Sequence, residues 1–125
     1  MVQIVTPRIK ITVIKRFTPE DVFGSEYYNV HGNKVGICSR FEDDQEFIVE
    51  ELEKPEGFCS LAWRDVYNAV SILVFGGDNV HTEPGVLYSC CTDGVKPVCF
   101  KLERIDPTWQ ENLVIMNQTS TNNTQ

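Results

Sequence analysis

Val86-Leu87-Tyr88-Ser89-Cys90-Cys91-Thr92-Asp93-Gly94-Val95-Lys96-Pro97-Val98-Cys99-Phe100-Lys101-Leu102-Glu103-Arg104 is the stretch that decides the fold. Two runs that alternate apolar and polar residues flank Asp93-Gly94. That dipeptide is the preferred pair for a two-residue type I′ turn, which needs positive φ at both positions. Residues 86–92 and 95–104 therefore read as an antiparallel hairpin. The turn sets the register: Thr92 faces Val95, Cys91 faces Lys96, Cys90 faces Pro97, Ser89 faces Val98 and Tyr88 faces Cys99. Opposed residues share a face. Leu87, Ser89, Val98, Phe100 and Leu102 make the core face, with Cys91 at its turn end. Tyr88, Cys90, Cys99 and Lys101 make the other. In this register Cys90 and Cys99 are diagonal neighbours at roughly 7–8 Å, a poor span for a disulfide. Pro97 has no N–H to give a ladder, so its strand lies at an edge or is bulged there.

Upstream of the hairpin is the clearest helix. Ala62, Trp63, Val66, Ala69, Val70, Leu73 and Val74 recur at three- and four-residue spacing, one buried face of a 3.6-residue period. Arg64, Asp65, Asn68 and Ser71 take the other side; Arg64-Asp65 reads as a solvent-exposed pair, the alternative being that it points back towards the Cys59 end. Gly76-Gly77 supplies the left-handed C-terminal cap. Between this helix and the hairpin, residues 78–85 form a loop that contains His81. Before the helix, Lys54-Pro55-Glu56-Gly57-Phe58 is a turn. Residues 42–56 form an acidic run, a solvated rim in which Phe47-Ile48-Val49 reads as a strand.

Nearer the N-terminus, Ile9-Lys10-Ile11-Thr12-Val13 has the two-residue period of a half-buried strand. Thr18-Pro19-Glu20-Asp21 is a helix start, with a hydroxyl cap, proline at the first position and acids in the first turn. This second helix is short and fades near Tyr28. Residues 29–36 form a glycine-bearing loop around His31. At the other end Asp106-Pro107 is a break, residues 108–116 are a candidate short element, and the polar residues 117–125 read as a disordered tail. The order strand, helix, strand, helix, hairpin defines an α+β domain over residues 1–107. It has a small, largely antiparallel sheet, two helices packed on one face and a C-terminal β-hairpin.

Composition excludes several classes. The chain has 125 residues, enough for one domain with a modest core. Its formal net charge of −7 argues against nucleic acid, which needs a basic stripe. There is no apolar run of about 18 residues, so no membrane span is expected. Residues 1–7 lack the pattern of a signal peptide, which points to the cytoplasm, where thiols stay reduced. The odd number of cysteines, 5, agrees with that.

Those cysteines carry the candidate chemistry. Cys59 is at or just before the N-cap of the helix over residues 60–75, where unpaired N–H groups and the helix dipole favour negative charge. Cys38 lies in a loop two residues from the cation Arg40. No C-x₂-C or H-x₃-H spacing marks a zinc site, and no Walker loop, dinucleotide fingerprint or G-x-S-x-G elbow is present. A zinc site drawn from distant segments remains an alternative.

Lys54-Pro55-Glu56-Gly57-Phe58-Cys59, Ala62-Trp63, Phe75-Gly76-Gly77, Cys90-Cys91-Thr92-Asp93-Gly94 and Pro97-Val98, through Phe100 to Arg104, resemble the motifs of a family of short, functionally uncharacterised, cysteine-bearing proteins, mostly prokaryotic. The resemblance spans roughly residues 8–105. It implies a common fold and a shared thiol-bearing site, carried onto Cys38, Cys59, Trp63, Cys90, Cys91, Asp93 and Gly94. The family pattern has proline after the first cysteine, where this chain has Ser39. The resemblance implies no reaction.

The leading expectation is a small cofactor-independent enzyme of isomerase, lyase or cyclase type acting on a small organic molecule. Its pocket would lie between the Cys59 helix end and the hairpin, walled by Phe58, Trp63 and Tyr88. Cys59 would be nucleophile or general acid/base, with Cys90 or Cys38 nearby and His81 as base. A second class is a metal-binding or thiol-redox protein using Cys38, Cys59 and Cys90, and a third is a non-catalytic interaction module. An exposed sheet edge would suit a homodimer.

Overall fold

The structure, a computed structural model, describes residues 6–106; the expected element over 108–116 and the polar tail lie outside the described residues. Four strands, β1 (Ile9–Arg16), β2 (Glu46–Val49), β3 (Val86–Cys90) and β4 (Val98–Arg104), and two helices, α1 (Pro19–Phe23) and α2 (Ser60–Val74), follow in the order β1-α1-β2-α2-β3-β4. Every strand pair is antiparallel and the sheet order is β2-β1-β4-β3. This is the α+β class expected, with the helices packed against the sheet.

β1 obeys its alternation: Ile9, Ile11 and Val13 are buried, and Lys10 and Thr12 are part-exposed on the reverse face. α1 begins with a reciprocal cap. Thr18 Oγ1 accepts from the Asp21 N–H at 3.0 Å, and Asp21 Oδ2 accepts from the Thr18 N–H at 2.9 Å. The helix stops at Phe23, earlier than its sequence suggests. Gly24, at φ 77°, turns its N–H back to the Glu20 carbonyl and closes the end.

α2 lies over one sheet face and buries Ala62, Val66, Val70, Leu73 and Val74 against Ile9, Ile11, Val13, Leu87, Phe100 and Leu102. Beside them Phe41, Phe47, Phe58 and Phe100 form an aromatic cluster with ring centroids 4.9 to 5.9 Å apart. The 38–43 loop that delivers Phe41 is pinned to the end of β1. Arg16 Nη1 donates to the Cys38 and Phe41 carbonyls, both at 2.9 Å, and Nε donates to Asp43 at 2.9 Å.

The hairpin keeps its faces but not its register. Cys90 pairs with Cys99, Ser89 with Phe100 and Tyr88 with Lys101, two residues from the pairing a type I′ turn would impose. Neither Asp93 nor Gly94 has positive φ. Instead Asp93 Oδ1 accepts from the Val95 and Lys96 N–H groups at 2.9 and 3.0 Å, a side-chain turn inside a longer loop over residues 91–97. A shift of two preserves parity, so Val98, Phe100 and Leu102 are still buried and Tyr88 still points outward. Pro97 precedes β4 rather than sitting in it. Because β4 is a central strand, the edge or bulge expected of Pro97 is replaced by exclusion from the ladder. Its carbonyl accepts from Phe17 N–H at 2.8 Å.

Candidate functional site

Three segments that are distant in sequence enclose an open cavity of about 530 Å³. The first is the 38–41 loop held by Arg16. The second is the start of α2, with Cys59, Ser60, Leu61, Arg64 and Asp65. The third is the hairpin loop, with Cys91, Thr92, Asp93 and Lys96. Each brings one thiol, so Cys38, Cys59 and Cys91 line the same space. All three are free and partly buried.

Cys59 is the N-cap of α2, with extended backbone (φ −61°, ψ 126°) and no hydrogen bond from its side chain to the helix terminus. Its carbonyl accepts from Trp63 N–H at 2.9 Å. The thiol therefore does not cap the terminal N–H groups as Ser, Thr, Asp or Asn would. Arg40, Arg64 and Lys96 add three cations to the lining, against Asp65 and Asp93.

Asp65 joins two of the walls. Its Oδ2 accepts from Thr92 N–H at 2.8 Å and Thr92 Oγ1 at 3.0 Å, and Arg64 reaches both Asp65 and Thr92 at 3.4 Å. The Asp65 side chain is 9% exposed and that of Arg64 67%, so only Arg64 faces solvent as the helix position suggests. Burial pushes its carboxyl up, but the Thr92 N–H and hydroxyl together with Arg64 hold it below the ordinary range. At the hairpin end, Val98 N–H donates to Cys91 Sγ at 3.2 Å, which fixes that thiol on the cavity side.

The remaining expected site residues lie elsewhere. Cys90 and Tyr88 are exposed on the opposite sheet face, because adjacent strand residues alternate and only Cys91 shares the α2 side. Phe58 is 2% exposed and packed among Phe41, Phe47 and Phe100, which makes it core rather than wall. Trp63 packs edge-on to Phe58 and to Tyr67, on the helix strip away from Leu61 and Asp65. His81 follows the C-terminal end of α2, and Cys59 begins the helix. Fifteen residues separate the two ends, roughly 20 Å at helical rise. His31 is in another exposed loop, its N–H bound to Asn29 Oδ1 at 2.9 Å.

Sequence alone does not mark Arg16 or Thr92, and it marks Asp65 only as half of a pair with Arg64, since the contacts of these residues span more than 20 positions. Among the described residues no three His, Cys, Asp or Glu side chains are grouped so as to hold a metal ion, and no helix is long and apolar enough to cross a membrane. Comparison with family models, curated proteins and solved structures returns no match.

Proposed function

We propose that the chain is a small cytoplasmic enzyme, independent of nucleotide cofactors, that acts on a small anionic organic molecule by isomerase, lyase or cyclase chemistry. The observation that carries this reading is the convergence of Cys38, Cys59 and Cys91 on one cavity at the N-terminus of a 15-residue helix. Reactions of this type need positioned groups that give or accept a proton at the substrate. Cys59 is assigned as nucleophile or first acid/base group. Cys38 or Cys91 is assigned as the second, and Cys91 takes the place expected for Cys90. The helix terminus and the three lining cations would receive the substrate's anionic group, and Asp65 is a positioning residue that holds the hairpin loop against α2.

Paired alkylation tests the assignment. Iodoacetate carries a carboxylate, and iodoacetamide is its neutral counterpart. Cys59 is expected to react with iodoacetate faster than the other four cysteines, and Arg64→Ala should remove that preference while leaving the iodoacetamide rates in place. Equal iodoacetate rates at all five thiols would overturn the reading.

The cavity the three thiols share carries a second reading, a thiol-redox or metal-binding protein using Cys38, Cys59 and Cys91, the last in the place expected for Cys90. The thiols are not grouped as a ready metal site, so zinc would have to draw them together. Native mass spectrometry after zinc addition separates the two. A bound zinc ion that shields these cysteines from alkylation until chelation supports the second.

A further inference from the structure

Cys90 and Cys99 stand apart from the cavity. They are direct register partners on β3 and β4, on the sheet face that α2 leaves uncovered. The flanking bonds determine which kind of pair they form. Cys91 N–H donates to the Val98 carbonyl at 3.0 Å, and Arg104 N–H donates to the Gly85 carbonyl at 2.9 Å. These bonded pairs lie an odd number of positions from the cysteines, and bonded and non-bonded pairs alternate along an antiparallel ladder. Cys90 and Cys99 are therefore a non-hydrogen-bonded pair, the closer kind, with Cα atoms about 4.5 Å apart. Disulfides span Cα separations from about 4.4 to 6.8 Å. Both side chains leave the same face.

The surroundings suit stepwise oxidation. Cys90 is exposed and Cys99 partly buried. Lys15 on β1 is the register partner of Cys99 on its other side, with its Nζ 4.7 Å from the centre of the Phe17 ring. Burial, then the neighbouring Cys90 thiol within hydrogen-bonding reach, push the Cys99 thiol up, and Lys15 draws it back.

We propose that Cys90 and Cys99 are a redox modification site that closes to a reversible cross-strand disulfide, with a low-molecular-weight disulfide as oxidant. The exposed Cys90 thiolate attacks one sulfur of the small disulfide and displaces one small thiolate, leaving a mixed disulfide. The Cys99 thiolate then attacks the Cys90 sulfur and expels the second. The two protein thiols give up two protons and two electrons, and the small disulfide is reduced to two thiols. The bond ties β3 to β4 at the root of the 91–97 loop, from which Cys91, Thr92, Asp93 and Lys96 reach the cavity. The chemistry stands without the proposed enzymatic function.

The test is oxidation of the full chain with glutathione disulfide under native conditions, alkylation of the remaining thiols, and peptide mapping by mass spectrometry. The expected product has lost two hydrogens, about 2 Da. It carries one Cys90–Cys99 link and reverts with dithiothreitol; a glutathione adduct on Cys38, Cys59 or Cys91 bears on the cavity alone and leaves this link as the readout. Cys99→Ser should stop at a stable glutathione adduct on Cys90. A persistent Cys90 adduct in the unmodified sequence, or links that join other cysteines instead, would overturn the proposal. No activity assay enters, so the outcome is independent of whether the cavity is catalytic.

Discussion

Asp65 is the side chain on which the assembly of the cavity turns. Its carboxylate takes two hydrogen bonds from Thr92, a residue 27 positions away. Asp65→Ala leaves the Thr92 N–H without that acceptor and is expected to cost about 1.5–3 kcal/mol, the range for a hydrogen bond to a charged partner. Urea unfolding measures this, and an unchanged midpoint would show that the loop is held by something else. A local pattern could not show the contact, because nothing near Asp65 in sequence names Thr92. The thiols divide in the same way. Cys59 was legible because an N-cap is read from its own helix. Cys91 is also implied by alternation, which puts it on the core side, where a pocket beside α2 must be. Choosing Cys90 required the outer face to line an inner cavity.

At the scale of elements, the end of α2 is secured from the last strand. Arg104 is 6% exposed in its side chain and donates to the Leu73 carbonyl at 3.1 Å, the Gly77 carbonyl at 2.8 Å and Asp78 Oδ1 at 2.6 Å. It satisfies carbonyls that a helix C-terminus leaves open and anchors the turn into β3. Arg104→Met keeps much of the apolar stem and removes these donors. The expected loss is about 2–3 kcal/mol, with amide exchange accelerated first around residues 74–78. Exchange that rises uniformly through the chain instead would mean that the anchor is not local. The elements within the described residues were readable from periodicity and caps, and each of those was found. The hairpin register was not. The preference of Asp-Gly for a tight turn is a weak local term, and it competes with Pro97, which cannot enter the ladder, and with the Asp93 carboxylate, which gathers two N–H groups into a wider loop.

The whole molecule sets acid stability through two opposed effects. The chain carries 18 acidic and 11 basic side chains, so protonating carboxylates first relieves self-repulsion. Against that, several carboxylates are held below their ordinary range. Asp78 is held there by the Gly85 N–H and by Arg104, Asp43 by Arg16, and Asp21 by the Thr18 cap. A folded pKa below the unfolded value means that the unfolded chain binds more protons in acid. The stabilisation is complete above the ordinary carboxylate range near pH 4 and is lost as pH falls through the folded values. These pairs are largely exposed, so each is weak alone, and the effect is collective. The melting temperature at fixed ionic strength is therefore expected to rise slightly from pH 7 to about 5, as the net charge falls, and to drop below about pH 4. Asp65→Asn combined with Asp78→Asn should flatten the acid limb and lower the neutral plateau, since it removes two carboxylates that titrate low. A melting temperature that keeps climbing to pH 3 would mean that charge repulsion outweighs the paired carboxylates. The same long-range character explains why the strand order was not legible. β1 pairs with β4 across almost the whole described chain, and only burial of both inner faces under α2 selects that neighbour over the hairpin's other edge.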